Sequence, residues 1–448
     1  MLGKPYFDIL RLVWPLALGM INNAVMQFVD GVFLAHESLA SLEASLPASM
    51  LAGLVLCFFQ SVVAYSGTFV AQYHGADDAR GVRASYRAGL LIAAVAGVLA
   101  ILLIPAGRAA ARLLSANPDV VARASVYYTI VSFGTLALCG QMAAASYFTG
   151  CGRTRLVFWV NVLGNAVNVA LDPILIFGLG GCPRLGMAGA AVATVAAMFV
   201  QWGALAWCAE RDLRGLGGGG RAAADAPRLV PLAGKILRYG VPSGAYSVLN
   251  ILSFTIFVFL TGLVGDVAFA VSNACFKVNY LLFAPMEGFA VGASTLVAQA
   301  QGRGDSAAAR ADARRTLALG LGLVTALSAL AVVFCRPILS LFVPPGVDTA
   351  AFYELGFVLF VLMAAWQVFD AADVIVSGAL KGAGDTAFVM WWMVVAAFGL
   401  WLPLVGAVAA WHSTMPALWG TMIVYVVVIC CGTLLRWKSG RWQRIRLV

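Results

Sequence analysis

Charge is scarce in this chain. Only 20 of 448 residues are acidic and 29 basic, 11% together, where an ordinary soluble domain carries about 25%. With 62% of the residues hydrophobic and a mean hydropathy of +0.91, a soluble globular fold is excluded and a polytopic membrane protein is left. Histidine is scarcer still, with three residues, which argues against a histidine-based metal centre. The nine cysteines show no metal-ligand spacing and mostly fall in apolar runs, so packing is their expected role. No nucleophile or acid–base cluster stands near the end of an apolar run. An enzyme is therefore not expected, nor a cofactor. Met1–Leu10 lacks the short apolar stretch and small-residue cleavage site of a secretory leader.

What is present is long apolar runs. Twelve approach the roughly 20 residues that a spanning helix needs. The first six lie near 12–35, 46–72, 88–107, 126–149, 156–180 and 187–209. The second six lie near 236–263, 268–300, 316–336, 355–380, 387–411 and 415–436. The net charge of +9 raises nucleic acid as a partner, but the basic residues gather at the ends of the runs. With both termini inside, the cytoplasmic segments hold 23 Lys and Arg and the outer segments five. Such an imbalance reports topology, not a ligand, and it predicts cytoplasmic termini in a bacterial inner membrane. Residues 210–235, rich in glycine, arginine and alanine, read as a flexible cytoplasmic linker.

The two sides of that linker repeat one another. GTFVAQYHGADD from Gly67 matches STLVAQAQGRGD from Ser294, an offset of 227 that also relates Pro15 to Pro242 and Asn23 to Asn250. FTGCGRT from Phe148 matches LKGAGDT from Leu380 at an offset of 232. Repeats of six spans, an even number, enter the membrane in the same direction. The chain thus divides into an N-terminal lobe (1–209), the linker, a C-terminal lobe (236–436) and a basic tail (437–448). Parallel repeats of this kind build alternating-access transporters. A channel does not require them.

Polar residues form stripes within the runs. Asn161, Asn165, Asn168 and Asp172 are spaced i, i+4, i+7 and i+11, an arc of about 60° on one helix face. A lipid-facing carboxylate costs about 2.5–3.5 kcal/mol even on a lenient scale, so this face must look into protein or a wet cavity. Pro173 leaves the Val169 carbonyl without its helical donor, and a carboxylate beside a freed carbonyl makes a plausible cation site. The first span repeats the pattern with Asn23, Gln27 and Asp30, and the tenth with Trp366, Asp370, Asp373 and Ser377. In the eighth, Asn273, Lys277 and Tyr280 share a face, and Glu287 follows beyond Pro285. Buried amides often do no more than bond helices together. Carboxylates point to function: in a partly dry cavity they suit exchange of a proton, and among other oxygen donors they suit Na⁺.

Together these passages resemble the MATE family, the multidrug and toxic compound extrusion transporters. The resemblance is carried by PLALGMINNAVMQFVDGVFLAH from Pro15, NAVNVALDPILIFGLGG from Asn165, LGMAGAAVATVAA from Leu185 and the repeated passages above. It implies an all-α fold of twelve helices in two six-helix lobes forming a V around a central cavity. The implied activity is antiport of organic, often cationic, amphiphiles against H⁺ or Na⁺. The DinF-like branch looks closer than the NorM-like one, and implies a first-lobe cation or Na⁺ site of Asp30, Asn168, Asp172 and Thr194, with Gln141 more loosely matched. In the NorM-like pattern Asp370 matches a second-lobe acid, whereas the seventh-helix glutamate position holds Asn250. Lys277 sits where DinF-like relatives often place a basic residue. Pro15, Pro173 and Pro242 are expected to bend their helices as the sites fill. The rival is a flippase for a lipid-linked intermediate, disfavoured because Lys277 alone is basic well inside a span. The expected partners are small organic cations and membrane lipid, no nucleic acid, and no second subunit.

Overall fold

The computed structural model describes residues 4–37, 39–114, 118–215, 227–343, 348–411 and 414–448; several side chains between 27 and 51, and those of 113 and 114, lie outside that description. The described residues form helices and no strands. In lipid every backbone N–H and C=O must be bonded within its own segment, and the helix does this. In chain order they are α1 (Lys4–Glu37), α2 (Leu39–Ala64), α3 (Ser66–Gly75), α4 (Ala79–Leu102), α5 (Ile104–Leu114), α6 (Pro118–Gly150), α7 (Thr154–Phe177) and α8 (Met187–Gly215). The second repeat continues with α9 (Leu229–Thr261), α10 (Asp266–Gly302), α11 (Ser306–Val333), α12 (Cys335–Ser340), α13 (Thr349–Gly382), α14 (Thr386–Val394), α15 (Leu402–Trp411) and α16 (Met415–Lys438). A π-helical turn, Val395–Trp401, joins α14 to α15. Twelve stretches among the described residues are long and apolar enough to span a membrane, as the sequence predicts.

The boundaries differ from expectation where charge heads a helix. The third span begins at Ala79, not near 88, and the ninth at Ser306, not near 316. Each is started by an aspartate at equivalent places in the repeat. Asp78 Oδ1 accepts from the Arg80 and Gly81 amides (both 3.0 Å), and Asp305 Oδ1 accepts from Ala307 and Ala308 (3.1 and 2.8 Å). Caps like these satisfy amides that have no partner within the helix. Hydropathy alone cannot see such a start, because the first turns of α4 carry Arg80, Arg83 and Arg87. Helix also enters residues 210–235 from both sides: α8 runs to Gly215 and α9 starts at Leu229, and 216–226 lie outside the described residues.

Two compact units emerge from the packing. One comprises Leu18–Val248, Ala298–Gly304 and Leu447–Val448, the other Met1–Ala17, Leu249–Val297 and Asp305–Arg446. Within the first, α6 packs on α2, α4 and α8 through a face of small residues including Gly134, Ala137, Gly140, Ala143 and Ala144. Small residues let membrane helices approach closely, which is the main source of packing energy where lipid is as apolar as protein. In the second unit α13, the repeat equivalent of α6, packs on α11 and α16. An aromatic ladder fills its core: Trp366 against Trp419 (4.8 Å between ring centres), Trp419 against Phe276 (4.8 Å), and Phe257 against Trp401 (5.1 Å). Pro15, Pro173, Pro242 and Pro285 all lie inside continuous helices.

Candidate functional site

The polar stripe of α7 faces inward as its spacing predicts. Asn165, Asn168 and Asp172 are buried, the last two with no exposed surface, and Asn161 is half-buried. The helix ends at Gly178, whose φ of +76° admits a left-handed cap without a Cβ clash. It therefore stops one turn beyond the Asp172–Pro173 pair.

Two of these residues meet α1 and α8. The carboxylates of Asp30 and Asp172 lie within hydrogen-bonding range of each other. The Asn168 amide fits best with its nitrogen donating to Asp30 Oδ1 (3.0 Å) and its oxygen accepting from the Thr194 backbone N–H (3.3 Å). The opposite orientation leaves only a 3.4 Å contact to Thr194 Oγ1, a hydroxyl that already donates to the Ala190 carbonyl at 2.9 Å. We adopt the first because it gives both ends of the amide a partner. Neither oxygen of Asp172 receives a hydrogen bond from a donor among the described residues. Two facing carboxylates, one of them with no donor of its own, are satisfied by one shared proton, or by one cation between them. The carboxylate oxygens of Asp30 and Asp172 are hard donors of the kind that Na⁺ prefers, the Thr194 hydroxyl and, with its amide turned over, Asn168 could add two more, and the residue set fits either ion.

The other half of the stripe does something else. Asn161 accepts from Gln141 Nε2 (3.1 Å) and its backbone carbonyl accepts from Gln201 (3.4 Å). Asn165 donates to the Asn22 carbonyl (3.3 Å) and to Asn23 Oδ1 (3.4 Å). Asn161 and Asn165 thus tie α7 to α6, α8 and α1. Gln141 belongs to this tie and not to the Asp30–Asp172 pair. The side chain of Gln27 lies outside the described residues. Asn22 and Gln201 were not among the expected residues, although Gln201 was legible: it lies seven residues after Thr194, on the same face of α8. Asn161→Ala is expected to lower stability by about 0.6 kcal/mol, the mean for such a bond in a membrane, and to leave ion dependence unchanged. Asn168→Ala should alter ion dependence. Thermal melts and gradient-driven transport of the two variants separate these outcomes.

The second unit presents a different picture. Asp373 on α13 accepts from Thr433 Oγ1 on α16 (2.8 Å) and from Ser377 Oγ (3.5 Å), so its charge has hydroxyl donors where that of Asp172 has none. Asp370 is half-buried, and Glu287 keeps open surface. Lys381 stands within electrostatic reach of Glu287 and Asp373. Lys277 is exposed, its ammonium 5.7 Å from the centre of the Phe342 ring. Asn250 is half-buried, with its carbonyl accepting from Ser253 (2.9 Å). A tie unforeseen from the sequence joins three helices here, as Gln367 donates to Asn279 (2.7 Å) and accepts from Ser328 (3.2 Å).

This fold is that of known membrane transporters. A solved outward-facing conformation of a multidrug resistance MATE family transporter of the MOP superfamily matches with a TM-score of 0.85 at 20% identity, over 99% of this chain and 98% of that one. A MOP superfamily transporter of Pyrococcus furiosus matches at 0.83 and 19% identity, over the same shares. At such identities the likeness establishes the fold alone. The family model described as MatE matches residues 15–174 and again 242–405, and the chain belongs to that family. The two matches open on Pro15 and Pro242 and so restate the internal repeat. A probable multidrug resistance protein NorM of Bradyrhizobium diazoefficiens is 28% identical over 420 residues, 93% of this chain and 89% of that protein. One of Pseudomonas aeruginosa is 28% identical over 457 residues, 98% and 90%. These relatives carry the NorM name, so the expected leaning to the DinF-like branch is not supported.

Proposed function

We propose that this integral membrane protein is a secondary antiporter that exports organic, cationic amphiphiles in exchange for H⁺ or Na⁺ by alternating access. One observation carries the ion-coupling part: the facing carboxylates of half-buried Asp30 and fully buried Asp172, flanked by Asn168 and Thr194. The multidrug part rests on the NorM relatives. MatE proteins are transporters, and this one needs no cofactor beyond its coupling ion.

With the pair ionised and empty, the site is negative and attracts a cationic amphiphile. A proton or Na⁺ bound there removes that attraction and allows α1 and α7 to repack near Pro15 and Pro173. The two fluxes are coupled because the ion and the cargo bind the two states with different affinities. The transport lobes are the two repeats, α1–α8 and α9–α16, and the protein acts as a monomer. Both termini face the cytoplasm, as the Lys and Arg distribution of the segments favours.

Purified protein in liposomes loaded with a fluorescent organic cation tests this reading, with ΔpH and Na⁺ gradients imposed separately. Efflux should follow one gradient and name the ion. Efflux that follows neither would sink antiport, and translocation of a labelled lipid would be measured next.

A further inference from the structure

Both repeats carry the same turn between their fourth and fifth spanning helices. After α6 the Cys151, Gly152 and Arg153 amides donate to the carbonyls of Tyr147, Thr149 and Phe148 (3.1, 2.9 and 2.8 Å). After α13 the Ala383, Gly384 and Asp385 amides donate to Ala379, Lys381 and Leu380 (3.0, 3.0 and 2.9 Å). Each turn needs a left-handed residue, and glycine supplies it, Gly152 at φ +76° and Gly384 at +94°. Residue for residue the offset is 232.

Arg153 and Asp385 therefore occupy the same place, at the N-caps of α7 and α14, and neither side chain caps its own helix. Both reach the last turn of the repeat's sixth spanning helix. Arg153 pairs with Asp212 of α8 at 2.6 Å, and Asp212 also accepts from the Tyr147 hydroxyl at 2.6 Å. Asp385 accepts two bonds from Arg436 of α16, 2.7 Å from Nε and 3.2 Å from Nη2. Each guanidinium lies over a phenylalanine next to its turn, Arg153 over Phe148 (5.3 Å) and Arg436 over Phe388 (4.7 Å). The clamp is the same and its polarity is reversed.

Local stability does not account for the reversal. An acid at a helix start and a base at a helix end both suit the helix dipole, and the second repeat has that arrangement. The first has the opposite one, a base at the start of α7 and an acid at the end of α8. We infer that the reversed polarity is a pairing code that directs each sixth helix of this duplicated chain to its own lobe. With α16 docked on the first lobe, Arg436 would face Arg153. With α8 docked on the second, Asp212 would face Asp385. Were both clamps of one polarity, either wrong docking would find an attractive partner; specificity of this kind comes from repulsion in the unwanted pairing.

The test is the fraction of full-length protein that elutes from detergent as one monodisperse species. Arg153→Asp combined with Asp212→Arg rebuilds an ion pair in the first lobe but gives both lobes the same polarity. The code predicts a severalfold lower fraction than wild type. Adding Asp385→Arg and Arg436→Asp keeps every first-lobe change and restores opposite polarities, so the fraction should rise again. The quadruple variant contains the double, so a recovery can come only from the relation between lobes. A double variant that equals wild type, or a quadruple variant no better than the double, overturns the inference.

Discussion

Asp172→Asn is expected to abolish gradient-driven export while leaving the protein as stable as wild type or more so. The side chain has no exposed surface, and its oxygens receive no donor among the described residues. A buried acceptor left without a partner costs about 1–3 kcal/mol, more if it is charged. The amide has the same shape, carries no charge and can donate to Asp30, so that cost is relieved. What the amide lacks is a second charge for a cation, or a second carboxylate to share a proton. Folding and coupling therefore respond in opposite directions to one atom's replacement, which a residue that merely packs would not show. Reconstituted transport and a thermal melt of the same preparation read both. Transport at the wild-type rate under ΔpH and under a Na⁺ gradient would refute the assignment.

Much of the scaffold was legible, because lipid imposes simple rules. Apolar length located the spans, and a period of 3.6 placed Asn165, Asn168 and Asp172 on a face that the structure buries. The division of that stripe was not legible. Whether an asparagine ties helices or lines a site depends on what α1, α6 and α8 present to it, and periodicity describes only its own helix. Gln141 shows the limit. It was expected beside the carboxylates, yet it bonds Asn161, eleven residues and about 16 Å of helix from Asp172. Thr194 was reached through family resemblance, not through any pattern in α8. The contrast between Asp172 and Asp373 was equally hidden, since Thr433 lies 60 residues from the aspartate it serves. Asp212 and Arg436 look in sequence like ordinary charges at helix ends, and only their partners reveal the reversed clamp.

Gly302→Leu is expected to cost the protein several kcal/mol of stability, because two glycines hold one crossing of α3 and α10. The motifs are QYHG at Gln72–Gly75 and QAQG at Gln299–Gly302, equivalent in the repeat. A Cβ on Gly302 would stand 3.0 Å from the Gln72 Cα, and one on Gly75 would stand 3.0 Å from the Gln299 Cα, each closer still to the neighbouring carbonyl. The approach is reciprocal, and the atoms in the way are backbone, which cannot rotate aside as a side chain can. Around it the Gln72 amide donates to Gln301 (3.0 Å) and Gln299 donates to the Gly150 carbonyl (2.8 Å), bonds that a wider crossing would break. Overpacking of this kind costs about 1–3 kcal/mol even for small insertions. Gly302→Ala, at the last residue of α10, should therefore destabilise, whereas alanine in place of an uncrowded mid-helix glycine gains about 0.5–1 kcal/mol. Gly203 in α8, with nothing near its added methyl, is the control that should show the ordinary gain. Once the first substitution has separated the helices, Gly75→Ala in the same chain should cost less than it does alone, since the two share one contact. Melting temperatures in detergent decide the matter, and a Gly302→Ala protein as stable as the Gly203→Ala control would contradict the close crossing.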